Sequence, residues 1–89
     1  MSTQFIRNIQ FTKLIKAEGR LREFNFRKHS GINEELFTVD VCDDRGNRHI
    51  FRMHKENGKW KIIQQPLPVW VPQNEDHLNE LIEEELKLN

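Results

Sequence analysis

Residues 36–64 read LFTVDVCDDRGNRHIFRMHKENGKWKIIQ, and this stretch decides the fold. Leu36 to Cys42 alternates, with Phe37, Val39 and Val41 on one side, which is the period of a strand with one buried face. Asp43-Asp44-Arg45-Gly46-Asn47 interrupts the pattern. With Asp44-Arg45-Gly46 as a three-residue hairpin loop, Gly46 takes the left-handed position. Arg48 to Lys55 is then the return strand. Asn57-Gly58, inside Glu56 to Lys59, is the strongest two-residue hairpin signal. It leads into a third strand, Trp60 to Gln64.

The two turns predict a register. The first sets Val41 opposite His49, Val39 opposite Phe51 and Phe37 opposite Met53. The second sets Met53 opposite Ile62 and Lys55 opposite Trp60. Both therefore place Phe37, Val39, Val41, Phe51, Met53, Trp60 and Ile62 on one face, and a one-residue slip in either hairpin would destroy the agreement.

Upstream, Arg20 to Lys28 reads as another strand with Phe24 and Phe26 inward. Leu21 has the opposite parity, so a bulge or strand end is expected near Arg22-Glu23. Residues 29–35 form the connecting loop. Phe11 to Ala17 reads as a further strand turning at Glu18-Gly19, because Phe5, Ile6 and Ile9 lie opposite Phe11, Leu14 and Ile15 on a helical wheel and make no single stripe. Residues 1–10 carry no clear pattern and are expected to be poorly ordered.

Downstream, Pro66-Leu67-Pro68-Val69-Trp70-Val71-Pro72 is too rich in proline for a helix and is expected to cross as an extended segment. Asn74 is the expected N-cap of a helix over 74–88, with Glu75 and Asp76 at its positive end and Lys87 in its last turn. Leu78, Leu81, Ile82 and Leu86 form its apolar stripe. A helix this short needs packing, and the inner sheet face supplies it. The expected fold is α+β: one domain over 1–89, an antiparallel meander of four to five strands with one C-terminal amphipathic helix on its inner face.

The 89 residues hold 14 basic and 14 acidic side chains, a net charge of zero. The zero hides blocks: 1–28 is +5, 29–44 is −5, 45–61 is +5 and 62–89 is −5. That excludes a uniformly basic nucleic-acid clamp and a uniformly acidic tail. Cys42 is the single cysteine, so no intramolecular disulfide staples the domain. Met1 to Arg7 lacks the apolar core of a signal peptide, and the uncharged stretch 62–74 carries three prolines, which rules it out as a membrane helix. The expectation is a soluble cytoplasmic protein without a membrane segment.

No catalytic motif stands out. His29, His49, His54 and His77 have no metal-ligand spacing, so no metal and no cofactor is expected. Asp40, Asp43, Asp44 and Gly46 lack the distal glutamate of a calcium loop, and the aspartates read as turn formers. Ser2, Ser30 and Cys42 have no base that the pattern places beside them. Glu85 interrupts the helical stripe and is expected to reach solvent or a basic side chain. The isolated glycines make no phosphate loop.

Three functions are weighed. The first is a non-enzymatic accessory or protein-interaction module, a monomer or homodimer. It would bind a protein partner through a sheet edge, the acidic helix or Trp70 with Val69 and Val71, although Trp70 equally suits a core role. The second is a weak single-stranded nucleic-acid binder using Arg48, Arg52, His54 and Lys61 on the outer face, with Arg27 beside them. By strand and helix order alone, the layout resembles one repeat of the PUR-type single-strand-binding domains. However, Phe24, Phe26, Phe37, Phe51 and Trp60 all map inward, away from any base. The third is an enzyme of unknown class, disfavoured because no acid–base or nucleophile–base pair can be placed together.

Overall fold

The computed structural model describes residues 9–29 and 35–88. Five antiparallel strands in sequence order form one sheet: β1 (Gln10–Ala17), β2 (Arg20–Lys28), β3 (Leu36–Cys42), β4 (Arg48–Glu56) and β5 (Lys59–Ile62). A 3-10 turn at Pro72–Asn74 feeds the helix α1 (Glu75–Leu88). Most of the poorly patterned N-terminus, residues 1–8, and residues 30–34 of the expected loop lie outside the described residues.

Both hairpins adopt the register expected from their turns. Val41 faces His49, Val39 faces Phe51 and Phe37 faces Met53. Met53 faces Ile62 and Lys55 faces Trp60. Asn57 and Gly58 have φ of 53° and 83°, the twin left-handed pair that matches the twist of the flanking strands. Gly46 has φ of 82°, and its N–H donates to the Asp43 carbonyl at 3.0 Å.

The inner face is one aromatic cluster. Phe11 and Phe26 stack at 4.5 Å, and Phe37 meets both Phe11 at 6.1 Å and Trp60 at 5.0 Å edge-on. The two Phe37 contacts skip over an intervening strand, so the sheet curls around its core. Into that curl α1 presses the buried side chains of Leu78 and Ile82, with Leu81 and Leu86 partly buried against the same cluster.

Two local readings change. The β1–β2 ladder runs unbroken from Gln10↔Arg27 to Ala17↔Arg20, so there is no bulge in it near Arg22-Glu23. Leu21 simply points outward, and Arg22 takes the inward position with only 7% of its surface exposed. Asn74 does not cap α1 with its side chain: its Nδ2 donates back to the Trp70 carbonyl at 2.7 Å. Glu85 meets a basic side chain as expected, 3.8 Å from the Lys13 ammonium.

Phe51 sits at the centre of the sheet with 1% exposure. Phe51→Ala is expected to cost about 3–5 kcal/mol, a large share of the roughly 5–15 kcal/mol that holds such a domain together. Urea denaturation measures it, and a midpoint close to wild type would contradict the placement.

Candidate functional site

The helix covers one face and one edge, which leaves the other face as the candidate site. In β5 the residues that bond β4 are the odd ones, as Ile63 N–H donating to Arg52 O at 2.8 Å shows for the residue just beyond its end. The N–H groups of Trp60 and Ile62 therefore point off the sheet edge. Both are taken by α1: Trp60 N–H donates to Asn79 Oδ1 at 2.7 Å, and Ile62 N–H to Glu75 Oε2 at 2.8 Å. The Trp60 indole N–H donates to Glu83 Oε2 at 2.8 Å, and Lys55 Nζ lies 3.5 Å from the same oxygen. Glu75, Asn79 and Glu83 stand four residues apart, so they line one flank of the helix. That spacing was legible in the sequence, beside the apolar stripe.

The outer sheet face has no such cover. Thr12, Asn25, Asp40 and Ile50 form one row across β1 to β4. Thr12 Oγ1 donates to Asn25 Oδ1 at 2.7 Å, Asn25 Nδ2 to Asp40 Oδ1 at 3.0 Å, and Arg48 Nη2 to Asp40 Oδ2 at 3.1 Å. This polar ladder satisfies itself. It floors a shallow cleft of about 720 Å³ that Arg27, Thr38, Cys42 and Ile50 also line. The next row holds Gln10, Arg27, Thr38 and Arg52, with the His29 ring 2.6 Å from Thr38 Oγ1. Beyond it His54 pairs across to Lys61.

The four basic residues singled out from the sequence therefore divide. Arg48 is tied to Asp40. Arg52, His54 and Lys61 cluster at the β4–β5 end, roughly 13 Å or more from Arg48 along β4 at 3.3 Å per residue. Arg27 stands across Thr38 from Arg52, roughly 10 Å away over two strand spacings. Among the described residues, no carboxylate pairs with Arg27, Arg52 or Lys61. The His54 ring lies 4.0 Å from Glu56.

Of the apolar candidate trio, Trp70 and Val71 are buried and only Val69, 57% exposed, faces solvent. Trp70 packs edge-on to Phe24 at 6.2 Å, and the Arg22 guanidinium lies 4.1 Å above its ring. Arg22 also donates to the Ala17 carbonyl at 3.1 Å and to Asp44 Oδ1 at 2.8 Å. The β2–β3 ladder stops at Asn25↔Asp40, and Arg22 bridges the splayed strands beyond it. A buried cation held by two hydrogen bonds and an aromatic face is satisfied; the cation–π contact alone is worth about 0.5–2 kcal/mol. Arg22 was the inward residue that sequence reading missed, and its parity with Phe24 was the available signal.

Asp43 organises the β3–β4 turn. Its carboxylate accepts from the N–H groups of Arg45 and Asn47 at 2.9 and 2.8 Å and meets His49 Nε2 at 2.9 Å. The hydrogen bond with His49, helped by those backbone donors, holds its pKa down at about 2. The hydrogen bond and charge of Arg22, with Arg20 beside it, likewise hold Asp44 below its usual value. No nucleophile accompanies the Asp43–His49 pair among the contacts described. Among the described residues, no group of three or more His, Cys, Asp or Glu side chains converges to hold a metal ion. No described helix is long and apolar enough to cross a membrane.

No family model, no curated protein and no solved structure matches this chain. Its function is therefore argued from the geometry of the uncovered face.

The Asp43 contacts set a pH dependence. A carboxyl whose folded pKa lies below its unfolded value of 3.8 stabilises the fold above that value and loses the contribution as pH falls toward 2. In urea melts between about pH 5 and pH 2, the wild type is expected to weaken more steeply than Asp43→Asn. Parallel pH profiles would contradict the role of this carboxylate.

Proposed function

We propose that the protein is a non-enzymatic binding module whose uncovered sheet face receives an acidic, partly apolar segment of another protein. The observation that carries this reading is that Arg27, Arg52 and Lys61 project from that face without an ion-pair partner among the described residues. Ile50 and Ile63, exposed at 51% and 39%, lie beside them. Cations interleaved with aliphatic side chains complement a segment that alternates carboxylates with apolar residues. Two other routes to a partner are closed: α1 takes the outward N–H groups of the β5 edge, and Trp70 is inside.

A nucleic-acid strand fits the same face less well. Single-strand binders stack bases on displayed aromatics, and every described Phe and Trp points into the core or packs against it. The zero net charge also gives no long-range attraction for a polyanion.

The test uses two labelled probes at about 50 mM salt, a level at which phosphate contacts are strong. One is a peptide alternating Glu and Leu, the other an oligothymidine. The peptide is expected to bind, and the double change Arg27→Glu with Arg52→Glu is expected to weaken it at least about tenfold, as two reversed charges of order 1 kcal/mol each would. Both arginines are exposed, so the melt should change little. Oligothymidine bound more tightly than the peptide, with a steep salt dependence, would overturn this reading in favour of nucleic acid.

A further inference from the structure

We propose that β1 is a self-pairing edge, and that two copies of this chain join there into a continuous ten-stranded sheet. The two edges of the sheet are treated differently. At β5 both outward N–H groups are taken by α1 side chains. At β1 the outward groups have no such cover among the described residues. Lys28 N–H donates to Ile9 O at 2.9 Å, so the odd-numbered β1 residues bond β2. Gln10, Thr12, Leu14 and Lys16 then turn their N–H and C=O groups off the edge. All four are exposed, and among the described residues nothing bonds those groups.

An open edge is usually blunted by proline, a bulge, shortness or charge; the charges of β1 are Lys13, engaged with Glu85 at 3.8 Å on the inner side, and Lys16 near its end. β1 is eight residues long, contains no proline and pairs with β2 without a break. The middle of its outer side carries apolar surface. Leu14 is 64% exposed, and Leu21, diagonal to it on β2, is 69% exposed.

These facts choose the occupant and the register. In an antiparallel pairing of β1 with its copy, the even residues must bond one another. Setting Leu14 opposite Leu14 of the second copy does this, with Thr12 opposite Lys16 on either side. It gathers the exposed leucines of both copies around the two-fold axis. Setting the axis one residue earlier would instead oppose Lys13 to its own copy, a like-charge pair on the inner rim. Because residues directly opposite in a sheet share a face, the two outer faces lie side by side in the dimer. An extended binding partner would then meet two clusters of Arg27, Arg52 and Lys61 rather than one. The dimer itself does not depend on what that face binds.

The test is sedimentation of the full-length chain across concentrations up to about 500 μM, where an interface at the small end of the range still associates. A concentration-dependent dimer is expected, and Leu14→Lys should weaken it at least about tenfold by opposing two like charges at the axis. Leu14 is a surface residue, so the urea melt of that variant confirms that its fold is intact. In a Cys42→Ser background, Leu14→Cys should form a disulfide dimer on mild oxidation. Lys16→Cys should not, since its Cα lies roughly 13 Å from its copy in this register. A chain that stays monomeric, a dimer unaffected by Leu14→Lys, or equal crosslinking at both positions would overturn the proposal.

Discussion

One helix flank holds this molecule together. Asn79 accepts the Trp60 backbone N–H, Glu83 accepts the Trp60 indole N–H, and Glu75 accepts the Ile62 N–H. Burying an unpaired N–H costs roughly 1–3 kcal/mol, so these contacts decide where the helix can lie. They fix it along β5 while Leu78 and Ile82 enter the core. Trp60 then reaches Phe37, and Phe37 reaches Phe11, which carries the curl of the sheet from one edge to the other. The closed edge, the covered face and the open face all follow from that placement.

The alternating charge blocks acquire a meaning in three dimensions. Asp44, in an acidic block, meets Arg20 and Arg22 of the first basic block, and Asp40 meets Arg48 of the second. The helix acids Glu83 and Glu85 meet Lys55 and Lys13. Most of these pairs are at least partly exposed, and such pairs contribute about 0–1 kcal/mol each. Their effect is more on register than on stability, since a slipped strand would oppose like charges. Among the described residues that these pairs leave over are Arg27, Arg52 and Lys61 on the open sheet face, and Asp76, Glu80 and Glu84 on the exposed side of α1.

The sheet was legible in the sequence because its two turns are chemically distinctive and its faces alternate strictly. Phe37 to Met53 and Met53 to Ile62 follow from counting outward from Gly46 and Asn57-Gly58. The helix was legible from its apolar stripe, although Asn74, expected to cap it, turns back to Trp70. Arg22 was misread because a charged residue at an inward position looks like a break in the pattern. It fits only because Trp70, Asp44 and the Ala17 carbonyl converge on it from three separate parts of the chain. The division of the basic candidates was hidden for a similar reason. Arg48 and Arg52 are equivalent by parity and both diagonal to Asp40, but only Arg48 pairs with it.

The two sheet edges differ in what bonds their outward N–H groups, and amide hydrogen exchange on the dilute, monomeric protein reads that difference directly. Trp60 and Ile62 N–H, bonded to α1 side chains, are expected to exchange slowly, near the rate set by global unfolding. Thr12, Leu14 and Lys16 N–H, which point off the open edge, are expected to exchange orders of magnitude faster. Rapid exchange at Trp60 and Ile62, matching that of β1, would contradict the helix clamp on which the structure and its open surfaces depend.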